Sequence, residues 1–122
     1  MKRELFRTVK PFIGMVHLLP LPGSPRYGGD LGPVLDRALR DARTLAEGGA
    51  DGLIVENFGD VPFHKYVEAH TVAAMTLAVS EVVRAVEIPV GVNVLRNDAK
   101  AALAIAAVTG ARFRNRQNQE LE

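Results

Sequence analysis

The chain reads as an α/β protein in which short parallel strands alternate with amphipathic helices in the order βαβαβαβ. Two observations predict this class. Apolar runs of strand length recur at "FIGMVH", "GADGLIVE" and "IPVGVNVL", and the segments between them place apolar residues at helical spacing. The strings "GGADGLIV" and "TGARF" both join a helix end to a strand through Gly-Ala. Short strands alternating with helices in this way imply right-handed crossovers and a parallel sheet.

The elements follow in order. Phe12 to His17 is a short buried strand. The next stretch, "LLPLPGSPRYGGD", holds three prolines and three glycines in thirteen residues and is therefore a long loop. A helix starts between Asp30 and Pro33, where an Asp suits the cap and a Pro suits the first turn. Val34, Leu35, Ala38, Leu39, Ala42, Leu45 and Ala46 form its apolar stripe, and Gly48-Gly49 ends it. Asp51 to Glu56 is the second strand. Residues 65–86 form a second helix with Val72, Met75, Val79, Val82, Val83 and Val86 on one face. Ile88 to Leu95 is the third strand, Asn97 or Asp98 caps a third helix that runs to Gly110, and "ARF" begins a fourth strand.

Composition narrows the function classes. Fifteen basic residues stand against fourteen acidic ones, net charge is +1, and the basic residues are scattered, so nothing steers a nucleic acid. There is no cysteine, which excludes disulfides, thiolate catalysis and Cys-ligated metals and fits a cytoplasmic protein. No apolar run approaches the ~20 residues that span a bilayer, so membrane contact is at most peripheral. The basic start "MKRELFRTVK" lacks the apolar region of a signal peptide.

The strands end in polar residues. Side chains two apart share a strand face, so His17 shares one with Met15 and Ile13, Glu56 with Ile54 and Gly52, and Asn93 with Gly91. In a parallel α/β sheet all C-terminal strand ends lie on one edge, where ligands bind. His17, Glu56 and Asn93 are the candidate catalytic residues, since a histidine and a carboxylate together perform acid–base chemistry near neutral pH. Arg26, Asn57, Asp60, Arg96, Asn97 and Asp98 follow in the loops as candidate substrate-binding residues, because arginine and helix N-terminal amides hold phosphate or carboxylate. Each has a plainer reading. His17 could bond backbone at a strand end, and Asn93 could satisfy loop backbone. Arg96 and Asp98 could be a capping pair, and Arg26 and Asp60 could shape their loops. Glu56 would need a specific partner to be purely structural. His64 and His70 read as surface residues. No metal-ligand string, P-loop or Gly-x-Gly-x-x-Gly is present.

Three strings, "IGMVHLLPLPGSPRYGG", "DGLIVENFGDVPF" and "VGVNVLRNDAKAALAIA", together resemble the N-terminal half of the BtpA/SgcQ family between Lys10 and Phe113. The resemblance implies a TIM barrel, (βα)8, of the ribulose-phosphate-binding type. Some members look like uncharacterised barrel enzymes, which implies a small phosphorylated sugar or nucleoside-like metabolite as ligand. The family's name implies an alternative: a non-enzymatic, membrane-peripheral factor for photosystem I biogenesis. No reaction, cofactor or metal carries over. A complete (βα)8 barrel takes about 200 residues or more, whereas this chain has 122. The expectation is therefore that residues 1–113 make half a barrel and that 114–122, with one apolar residue in nine, form a polar tail outside it. Half a barrel leaves the face bearing Ile13, Met15 and Ile54 to water and leaves its sheet edges open. The expected state is a homodimer or higher homo-oligomer, inactive or weakly active by itself, or else an unstable, aggregating fragment.

Overall fold

The structure, a computed structural model, describes residues 10–59, 67–95, 98–116 and 119–120. Its elements are β1 (Ile13–His17), α1 (Gly32–Glu47), β2 (Gly52–Glu56), α2 (Ala69–Ala85), β3 (Val90–Asn93), α3 (Ala99–Thr109), β4 (Phe113–Arg116) and β5 (Gln119–Glu120). The sheet runs β1-β2-β3-β4-β5 in spatial as in sequence order. The pairs β1–β2, β2–β3 and β3–β4 are parallel, and β4–β5 is a short antiparallel pair. The polar tail thus contributes backbone to the sheet edge, with Arg114 in register with Val92.

Burial alternates along β1: Gly14 and Val16 are buried, Met15 and His17 are exposed. Val16, Leu53, Val55, Val90, Val92 and Val94 form one face and join the helices in a single core. From α1 come Val34, Ala38 and Ala42, from α2 Ala74, Met75, Ala78, Val79 and Val82, and from α3 Ala101, Ala102 and Ile105. The apolar stripes that predict the helices are therefore the ones that build this layer. The other sheet face carries Ile13, Met15, Gly52, Ile54, Gly91 and Phe113.

Two boundaries differ from the sequence reading for local reasons. Helix α1 has Leu31 at its cap without a side-chain bond, but Asp30 Oδ1 accepts from the Gly32 N–H at 2.9 Å, so the acid serves the first turn from one residue further out. Helix α2 begins at Ala69, and residues 60–66 lie outside the described set.

The face opposite the helices is less open than expected. Met15 is 37% exposed and Ile13 half-buried, as an uncovered face requires, but Ile54 is only 7% exposed. Ile54 pairs with Met15 on one side and with Gly91 on the other. A Cβ on Gly91 would run into the Phe113 ring, so that ring occupies the space above the glycine, which is in register with Ile54. An aromatic from the fourth strand folded over a glycine in the third replaces part of the missing cover.

Candidate functional site at the C-terminal sheet edge

The last residues of β1, β2 and β3 form one register row, His17↔Glu56↔Asn93. Parallel pairing puts all three on the same face and at the same height, as the two-residue alternation requires. Glu56 is 8% exposed and so is Asn93. A carboxylate so buried needs partners, and among the described residues two side chains stand against it. His17 Nε2 lies 3.2 Å from Glu56 Oε1, and Asn93 Nδ2 donates to Glu56 Oε2 at 2.5 Å. A carboxylate only accepts, so any bond across this contact is donated by His17 Nε2, with Nδ1 left as the acceptor of a neutral ring. The arrangement is a carboxylate-oriented imidazole, a unit that serves general acid–base chemistry.

One residue of the site was missed by sequence reasoning. Phe58 stacks on His17 with ring centroids 4.4 Å apart and planes 17° from parallel. It is 54% exposed. Phe58 lies in the turn after β2, where strand alternation no longer applies, so no local pattern pointed to it. Glu56 and Phe58 together fix the imidazole, one through a nitrogen and the other through the ring face.

The loops behind this row are tied to one another. Leu18 N–H donates to Glu56 O at 2.9 Å, and Gly59 N–H donates to Leu18 O at 3.0 Å. A Cβ on Gly59 would fall 2.7 Å from Leu18 O and 2.8 Å from Pro20 N, so only glycine lets the two loops approach this closely. Asn57 is 1% exposed. Its Oδ1 accepts from Leu95 N–H at 2.6 Å and its Nδ2 donates to Leu95 O at 3.2 Å, which clamps the end of β2 to the end of β3. Asp98 is buried as well; Oδ1 caps α3 by accepting from Ala101 N–H at 3.0 Å, and Oδ2 accepts from Val67 N–H at 2.9 Å. Both side chains are engaged with backbone. Arg26 is exposed in the β1–α1 loop, where its N–H donates to Ser24 Oγ at 3.4 Å. Asp60, Arg96 and Asn97 lie outside the described residues. His70 is exposed, but its ring stands against Gly23, where an added Cβ would lie within 3.0 Å of its Cε1, so it packs on the β1–α1 loop. Among the described residues no group of three His, Cys, Asp or Glu side chains could hold a metal ion. Among them, too, no helix is long and apolar enough to cross a membrane.

Consecutive βα units with a polar row at their shared C-terminal edge define a parallel α/β protein, a class in which ligands bind at that edge. Within that class the chain belongs to the BtpA family, whose model matches residues 8–119. It is 56% identical over 111 residues to the photosystem I biogenesis protein BtpA of Synechocystis, a match covering 90% of this chain and 39% of that one. An uncharacterized protein of Archaeoglobus fulgidus is 61% identical over 104 residues, covering 85% of this chain and 42% of that one. The sgc-region protein SgcQ of Escherichia coli is 37% identical over 113 residues, covering 91% and 42%. The chain thus spans about two fifths of the length of these relatives.

Proposed function

We propose that the chain supplies the first half of a (βα)8 barrel, and that the His17–Glu56–Asn93 row is part of the barrel's ligand-binding rim. The observation that carries this reading is the convergence of the three side chains in one register row around a buried carboxylate. The ligand is a small phosphorylated sugar or nucleoside-like metabolite. Glu56 orients His17, His17 Nδ1 exchanges the proton, and Asn93 positions a carbonyl or hydroxyl. Asn57 and Asp98 hold the rim together, while Arg26, and on the sequence reading Arg96, are candidate cations for a phosphate. The phosphate site of such barrels is usually built after strands seven and eight, so this chain alone binds weakly and turns over little.

The uncovered face, with Met15 at 37% exposure, and the edge strand β1 favour a second copy of the chain as cover. Size-exclusion chromatography with light scattering tests this, and a well-folded monomer at low concentration defeats it. A thermal-shift screen of sugar phosphates tests the ligand, on this chain and on the full-length Synechocystis relative. Stabilisation by at least one of them is expected, and none in either protein overturns the proposal.

A second reading, prompted by the Synechocystis relative's name as a photosystem I biogenesis protein, is a non-enzymatic, membrane-peripheral assembly factor. Co-sedimentation of that full-length protein with membranes is its test, and a protein left wholly in the supernatant counts against it.

A further inference from the structure

The rim row contains, on a buried residue, a side-chain acceptor with no bond from any described residue. Asn93 is 8% exposed, and its Nδ2 is directed at Glu56. Among the described residues its Oδ1 has no hydrogen-bond partner. Buried side-chain polar atoms are satisfied in the great majority of cases, and an exception calls for a bound group. The neighbouring acceptors also have capacity to spare. Among the described residues each Glu56 carboxylate oxygen has one nitrogen beside it, His17 Nε2 at 3.2 Å or the donating Asn93 Nδ2, and a carboxylate oxygen accepts about two bonds. His17 Nδ1 is a third acceptor in the neutral ring.

Resting on the rim-row reading above, we infer that this row selects a ligand with hydroxyls on adjacent carbons, one donating to Asn93 Oδ1 and the next to the Glu56 carboxylate. Oδ1 and Nδ2 share one carbon, and Nδ2 lies 2.5 Å from Glu56 Oε2, so the two acceptors stand within the span of neighbouring hydroxyls. The second Nδ2 hydrogen of Asn93 is available to a hydroxyl oxygen, so the amide matches a group that both donates and accepts. The half-exposed ring of Phe58 gives the C–H face of a polyol an apolar surface at the same rim. A phosphate by itself offers only acceptors near neutral pH apart from its last proton, and it would repel the carboxylate. It belongs elsewhere on the rim.

The test uses the isotope-labelled chain and follows the Asn93 side-chain amide and the His17 ring by NMR. The titrants are erythritol, D-ribose 5-phosphate, 2-deoxy-D-ribose 5-phosphate and ethanolamine. Ribose 5-phosphate is expected to bind about tenfold to a hundredfold more tightly than its deoxy analogue, because loss of one hydroxyl leaves a buried acceptor unpaired. Erythritol is expected to move the same signals at higher concentration. In Asn93→Ala the difference between the two pentose phosphates is expected to shrink to less than about threefold, the limit set by losing the acceptor that discriminates. Equal binding of the two pentose phosphates overturns the diol inference and leaves the phosphorylated-metabolite reading standing. Signals that move with erythritol as readily as with ribose 5-phosphate support the diol and overturn the phosphate part of that reading. Signals that move with ethanolamine alone, or with none of the four, overturn the inference.

Discussion

Replacing Asn57 by alanine separates a rim clamp from a ligand contact. In the structure both ends of its amide are bonded to the backbone of Leu95, at 2.6 and 3.2 Å, and the residue is 1% exposed. Each lost hydrogen bond is worth about 1 kcal/mol. Leu95 is partly exposed, so water can recover some of its backbone bonding, while removal of the carboxamide leaves a small buried void. The total loss is about 2–3 kcal/mol. With a urea m-value of about 2 kcal/mol/M, the unfolding midpoint falls by roughly 1 M. Asn57→Asp keeps an acceptor for the Leu95 N–H but sets a carboxylate against the Leu95 carbonyl, so its loss is as large or larger. The assay is urea unfolding followed by circular dichroism, with all variants at one protein concentration because self-association couples to stability. An Asn57→Ala chain within about 0.5 kcal/mol of the parent, the range of ordinary surface substitutions, would refute the clamp and return Asn57 to the ligand site.

Three further outcomes follow from the same geometry. Asp98→Ala removes the α3 cap and the bond to Val67 together, a loss of about 2 kcal/mol by denaturant unfolding; Asp98→Asn keeps one acceptor and is expected to recover about half of it. Gly91→Ala drives a methyl into the Phe113 ring and is expected to lose about 1–3 kcal/mol. Phe113→Leu should relieve part of that loss in the double variant, and strictly additive effects would show that the ring does not sit there. Phe58→Leu removes the ring stacked 4.4 Å from His17; stability falls by about 0.5 kcal/mol, the low end for aromatic pairs since the ring is half exposed. In the same variant the His17 ring protons move downfield as the ring current disappears, and unchanged shifts speak against the stack.

Much of the fold was legible because local patterns and packing agree. The stripe of Val34, Ala38 and Ala42 and the alternation of Gly14, Met15, Val16 and His17 are the faces the structure uses. The row His17, Glu56, Asn93 was legible for a similar reason. Two-residue alternation and parallel pairing leave little freedom once each strand's last residue is known. The rest depended on contacts between segments. Asn57 read as a pocket residue because an amide in a loop looks the same whether it bonds a ligand or a distant backbone group, and Asp98, whose α3 cap was legible, gave no sign of its second bond to Val67. Their partners, Leu95 and Val67, are 38 and 31 positions away. The burial of Ile54 was invisible in the same way, and so was the Phe113 ring lying across Gly91, the residue in register with Ile54.

By itself, then, the amino-acid order determined the alternation of strands and helices, the face each turns to the core and the three residues that end the strands together. These properties follow from periodicity, which is local. Only the tertiary structure decided which polar atoms are already bonded and which are left open. It tied Glu56 to His17 and Asn93, laid Phe58 on the imidazole, committed Asn57 and Asp98 to backbone, and left Asn93 Oδ1 without a partner among the described residues. Hydrogen-bond satisfaction depends on atoms brought together from distant parts of the chain, and no local pattern encodes it.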